Sequence, residues 1–209
     1  MIANSYVVVQ EDSTSEQQDT EEIALPKVRD ELLRRAEEDQ KVRRQMTSND
    51  MAANMKLAAE LMKVDKANRE WLAPLIDKHG WLGKSTVGED GASAAWLLVQ
   101  HADNNLKFQR KCLDLMSALG PNEVNVTNVA YLTDRVLLAE GKPQRYGTQF
   151  GMKNGKLEMR DCEDPETLNE RRKAVELGTI EEYRAIIEKA YQGKPGNDKE
   201  SDDKESDGK

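Results

Sequence analysis

Histidine and cysteine are nearly missing from this chain, with two of each in 209 residues. Cys112 and Cys162 are too few for a disulfide framework. No cysteine pair and no HxxxH or HxH spacing offers the usual start of a metal site. Aromatic residues make up only 5% of the chain. Trp71, Trp81 and Trp96 are therefore expected to serve packing before they serve as a platform for a ligand. No apolar run approaches the roughly 18 residues a membrane span needs. There is no GxGxxG, no Walker sequence, and "GAS" at 91–93 is not a nucleophile elbow. The start, MIANSYVVVQEDSTSE, has no basic region ahead of its short apolar run. The expected location is the cytoplasm, with no membrane partner.

An excess of basic charge is also missing. The net charge is −8, and the ends account for all of it. Residues 1–22 hold six acids (Glu11, Asp12, Glu16, Asp19, Glu21, Glu22) and no Lys or Arg, and residues 193–209 hold six acids against four lysines. The body between them, 23–192, is formally neutral, which argues against a nucleic-acid partner. Both ends lack core formers, and DKESD occurs twice in tandem at 198–207. They read as disordered, the second as low complexity. "YVVV" at 6–9 has the β-branched content of an edge strand.

What the body does have is helical periodicity. Pro26 opens a helix to about Met46, striped by Val28, Leu32, Leu33 and Ala36. "SND" at 48–50 breaks it. A second helix covers about 51–78, and Pro74 should kink or divide it. Gly80 stops that helix. Residues 89–101 have no polar face, so their helix should be central. Asp103 or Asn104 restarts the chain as a helix to about Leu119. Asn125 or Thr127 caps another over 127–140. Asp164-Pro165 opens a helix to about Leu177, and Thr179 with Glu182 has capping-box spacing for a last one to about Gln192. Asn154-Gly155 signals a type I′ hairpin that pairs Met152 with Leu157 and Phe150 with Met159. The expectation is a mainly α fold: a single-domain bundle of six or seven helices with one small hairpin, about 148–160.

Two dense polar patches stand out. The first is QHAD at 100–103, where Gln100, His101 and Asp103 end the most apolar helix. Polar groups there meet a high cost if left unpaired. His79 ends the preceding helix. Histidine titrates near neutral pH, so His79 and His101 facing one pocket would supply an acid and a base without a metal. The bland alternative is that each satisfies late carbonyls of its helix. A set of His79, His101 and Asp103 could ligate an ion, but no spacing motif supports it, so no metal is expected. The second patch runs from Tyr131 to Phe150. Asp134 and Arg135 are adjacent on a helix and diverge by about 100° rather than pairing. Arg145, Tyr146 and Gln149 follow where helix gives way to hairpin. Planar Arg and Gln groups suit a carboxylate, phosphate or amide ligand. The alternative is a corner tied down by side-chain hydrogen bonds.

At HGW, QHADNNLKFQ, AYLTDR and QRYGTQF the chain resembles a bacterial family known as domain of unknown function 6624. The resemblance covers about residues 60–185 and includes ERRKAVELG followed by EEY. In that family HGW is usually followed by Pro, where this chain has Leu82. The family carries no established activity, so the resemblance implies no reaction. It does imply that QHAD and YGTQ matter, which points to His101, Asp103, Tyr146 and Gln149.

The resulting expectation is a cofactor-independent hydrolase or lyase acting on a small polar or anionic molecule. His101 would be the acid or base, Asp103 its orienter and His79 the second proton-transfer group. Gln100, Asp134, Arg135, Arg145, Tyr146 and Gln149 would bind substrate. The alternative is a non-catalytic ligand-binding or protein-interaction module using the same cluster.

Overall fold

The computed structural model describes residues 23–45, 51–153 and 156–192. The two acidic ends, YVVV, the SND break and the Asn154-Gly155 turn lie outside the described residues.

Among the described residues, seven α-helices and one two-stranded sheet follow in order: α1 Pro26–Arg44, α2 Met51–His79, α3 Lys84–Gln100, α4 Leu106–Ser117, α5 Val126–Ala139, β1 Phe150–Lys153, β2 Lys156–Met159, α6 Leu168–Lys173 and α7 Ile180–Gln192. The fold is mainly α, as the periodicity predicts. Pro26 does open α1. Pro74 does not divide α2, which runs through it as one helix. Its ring faces outward at an exposed position, where the lost backbone bond costs least.

The central helix starts earlier than its apolar run suggests. Lys84–Val87 forms a first turn, and Gly88 then breaks the helical path with φ 75° and ψ 167°. A residue with a side chain would be strained there. From Glu89 the chain continues as predicted. One hydrophobic cluster draws on five helices: Leu32 from α1, Leu72 and Ile76 from α2, Ala95, Leu98 and Val99 from α3, Cys112 and Met116 from α4, and Leu132 and Val136 from α5. Trp81 is buried with them, and Trp71 and Trp96 pack against the cluster from its margin. α1 lies along α3 and is pinned at one end. There the amides of Ala24 and Leu25 donate to the carbonyls of Ser85 and Thr86, and Arg29 pairs with Asp90.

Asn105, rather than Asp103 or Asn104, caps α4, accepting from the amide of Phe108 at 3.0 Å. Asn125 caps α5 in the same way through Asn128. The hairpin has the predicted register, Phe150 opposite Met159 and Met152 opposite Leu157. The helix expected over 165–177 is shorter. Pro165–Thr167 winds as a 3-10 turn, α6 ends at Lys173, and Glu176 takes a positive φ of 60°. Thr179 and Glu182 form the reciprocal capping box: Thr179 N donates to the Glu182 carboxylate at 2.8 Å, and Glu182 N donates to Thr179 Oγ1 at 3.3 Å.

Candidate functional site

The corner between α5 and β1 is built around one carboxylate. Asp134 is 0% exposed, yet it is saturated. Oδ1 accepts from the amides of Arg145 (2.7 Å) and Tyr146 (2.9 Å). Oδ2 accepts from the amide and hydroxyl of Thr148, both at 2.9 Å. Four donors offset the cost of burying the charge. Gln144, also buried, donates to the carbonyls of Gln149 and Arg160 and accepts from the Gln149 amide at 2.8 Å. Gly147 has φ 66°, and a Cβ there would lie 2.9 Å from the sulfur of Met159. Its role is backbone geometry and close packing.

Arg172 closes the corner from α6. It donates from Nε to Gly178 O at 2.6 Å and from Nη1 to Tyr146 O at 2.7 Å, and lies 5.0 Å from the Tyr183 ring. Burial pushes its pKa down, opposed by the nearby tyrosines and Asp134. Burial, with Tyr131 adding to it, pushes the Tyr183 phenol well above its usual range. Of the binding candidates here, Gln149 donates to Thr148 Oγ1, Arg145 stacks 5.9 Å from the Tyr146 ring, and Asp134 faces backbone. These groups are mainly engaged in holding the turn.

Arg135, one residue along α5, faces the other way. Its Nη1 donates to both oxygens of Asp103, at 2.8 and 2.9 Å. Gln109 of α4 donates to the carbonyls of Val99 and Gln100 and to Asp103 Oδ1. Gln109 thus adds a side-chain donor at the last carbonyls of α3, where Val99 O also accepts from the amide of Ala102 at 3.0 Å. Adjacent residues of α5 thus fasten the two polar patches, as the 100° step between them predicts.

His101 itself turns away from Asp103. Its Nδ1 lies 2.8 Å from Oδ2 of Asp39, on α1. Asp39 is 0% exposed and also accepts from Arg43 and Gln40. Arg43 reaches on to Asp65 of α2 at 2.6 Å. Burial disfavours the Asp39 charge, but bonds from His101 and Arg43 outweigh it and hold the carboxyl down to about 2. Burial pushes Asp65 up, with Arg43 opposing. Carboxylate oxygens of Asp39 and Asp65 and a ring nitrogen of His101 lie within 4.8 Å of one another. Beside them is a cavity of about 200 Å³ lined by Met62, Asp65, Lys66, Arg69, Ala102 and Asn104. It shares Asp65 with the cluster, and Ala102 is the residue after His101.

The residues expected around one pocket are therefore held in separate hydrogen-bond networks. Asp103 is bonded to Arg135 and Gln109, so the group that orients His101 is Asp39. His79 is exposed at the end of α2, and no hydrogen bond or ion pair joins it to His101 among the described residues. Nor does one join His101 to Tyr146 or Gln149. Asp39, Arg43, Asp65 and the cavity were missed. Asp39 carried a readable signal: it lies seven residues after Leu32, on the stripe that α1 buries. A carboxylate at a core position needs a partner.

The family described as a family of unknown function, DUF6624, matches residues 26–195. That match takes in α1, which carries Asp39. No curated protein matches the chain, and no solved structure matches it.

Proposed function

The chain belongs to DUF6624, a family with no assigned activity, and from that premise we propose that it is an acid–base enzyme of hydrolase or lyase type, acting on a small anionic molecule in the cavity beside His101. The observation that carries this reading is the 2.8 Å contact between His101 Nδ1 and the fully buried Asp39. A carboxylate only accepts, so Nδ1 bears the proton and Nε2 presents a lone pair. No partner is bonded to Nε2 among the described residues. As Nε2 takes a proton from substrate or water, Asp39 stabilises the imidazolium and keeps the ring oriented.

Charge on the cavity wall supports an anionic substrate. Arg69 is 23% exposed, and among the described residues its one ion pair is a loose 3.8 Å contact with Glu70. Its donors are available to a carboxylate or phosphate, and Lys66 adds a second cation. In this reading Gln100, Asp103 and Arg135 hold the end of α3 that carries His101, and Asp134, Arg145, Tyr146 and Gln149 shape the neighbouring corner.

The test is turnover of a panel of small phosphoric and carboxylic esters and hydroxy acids, with His101→Asn and Arg69→Ala alongside. The expected result is turnover that falls by about 10²–10⁴ in His101→Asn, the range for loss of a general base. Arg69→Ala should raise KM more than it lowers kcat. Turnover that survives His101→Asn sinks the reading.

A second reading, a ligand-binding module without turnover, has one observation in its favour. Trp96 Nε1, Gln100 Oε1 and Arg135 Nε are buried without partners among the described residues. Buried polar atoms of this kind call for a bound molecule or ordered water. Saturable binding of a panel member with no turnover, weakened by Gln100→Ala, selects this reading.

A further inference from the structure

Three helices deliver a nitrogen and two carboxylates to one point: Asp39 from α1, Asp65 from α2, and His101 from the end of α3. Two carboxylates share a single guanidinium there. Counting the imidazole as neutral, the cluster holds one more negative charge than positive. The side chain of Asp39 is 0% exposed and that of Asp65 16%, so little water screens the excess charge. The guanidinium that fills the gap is bonded to both carboxylates but borders solvent. The Arg43 side chain is 28% exposed, and its long stem allows the head to move to water.

A second observation lies on the same seam. Asn68 follows Asp65 by three residues on α2, and Arg35 precedes Asp39 by four on α1. Arg35 donates to Asn68 Oδ1 at 3.2 Å, so the pair sits alongside the cluster. Asn68 is 4% exposed, and its Nδ2 has no partner among the described residues. A buried amide donor wanting an acceptor fits a water held in the coordination shell of an ion. The 200 Å³ cavity, with Asp65 on its wall, gives that ion and its water a route in.

We propose that Asp39, Asp65 and His101 bind a divalent transition-metal ion of the zinc class in exchange for the Arg43 guanidinium. One imidazole nitrogen and two carboxylate oxygens are a recognised donor set for such an ion. Three protein ligands leave a tetrahedral ion one position for water. Magnesium, which keeps most of its waters and prefers oxygen, is disfavoured by the imidazole. When the ion takes Nδ1, the ring proton moves to Nε2, and Asp39 gives up its bond to the ring. The ion therefore removes the base used in the proton-transfer reading and acts as its inhibitor.

The inference uses the side chains of that reading, but ion binding is measured without turnover. Failure of zinc to bind leaves the proton-transfer reading standing, and absent turnover leaves the titration interpretable. The experiment is calorimetric titration of the full-length, chelator-treated protein with zinc chloride, repeated with cobalt chloride to record ligand-field absorption. One ion per chain is expected. Asp65→Asn and His101→Asn should each weaken binding by about tenfold or more, since each removes a ligand. Arg43→Gln, which removes the competing cation and leaves all three ligands in place, should tighten it several-fold, and magnesium should give no saturable heat. Circular dichroism of each variant checks the fold, and Arg43→Gln keeps the test readable if a ligand variant fails to fold. No zinc binding to wild type and to Arg43→Gln overturns the proposal. So does binding that is unchanged in Asp65→Asn and His101→Asn, which would place the ion on the acidic ends.

Discussion

Asp39 is a charge at a core position, and its stability contribution should depend on pH. Its folded pKa is held down to about 2, against about 3.9 in an unfolded chain. A depressed carboxyl stabilises the fold above the unfolded value, and that contribution is lost as pH falls through the folded one. Urea midpoints should therefore drop between about pH 4 and pH 2 by an amount equivalent to about 2 kcal/mol. Asp39→Asn should lose that slope. It should also be less stable near pH 7 by about 2 kcal/mol, because an amide nitrogen would face the donors of Arg43 or His101. A variant with wild-type stability at neutral pH would show that the His101 and Arg43 bonds contribute little. A prediction for Asp134 rests on the same physics. In Asp134→Asn, an amide nitrogen must face two of the four donors from Arg145, Tyr146 and Thr148. The cost should be about 2–4 kcal/mol in chemical denaturation, with an unchanged denaturant slope.

Among the elements, those with local rules were legible and those fixed by distant partners were not. The hairpin register follows from a two-residue turn and side-chain alternation, both within a dozen residues. The capping box at Thr179 is likewise local, and Thr179→Ala should lower the thermal midpoint by the equivalent of about 1 kcal/mol. The start of α3 was misplaced because Gly88 hides a helical turn on its far side. The cap of α4 was misplaced because Asp103, a plausible cap by type, is drawn to Arg135, 32 residues away. The site divides in the same manner. Spacing revealed that Asp134 and Arg135 diverge and that QHAD ends a buried helix. It could not reveal that His101 meets Asp39, 62 residues earlier, because a single sequence carries no signal for which helices pack side by side.

At the scale of the molecule, every core residue named above lies between Leu32 and Leu168. Deleting residues 1–20 and 195–209 should accordingly leave the thermal midpoint within a few degrees of the full chain. A large fall, measured by circular dichroism, would mean that one of the ends docks on the body. Removing them also strips ten acids and three lysines, which shifts the isoelectric point of the remainder upward from its value near 5.0.

One rotation along α5 has a consequence for how the protein breathes. Asp134 and Arg135 fasten two distant loops to neighbouring rungs of one helix. Neither loop can be released by a change in α5 without the other feeling it. Amide hydrogen exchange should therefore find the 145–148 amides and those at the end of α3 opening together, as one cooperative unit with a shared free energy. Two independent exchange rates, each answering to its own denaturant dependence, would show that α5 frays between the two residues instead of turning as a piece.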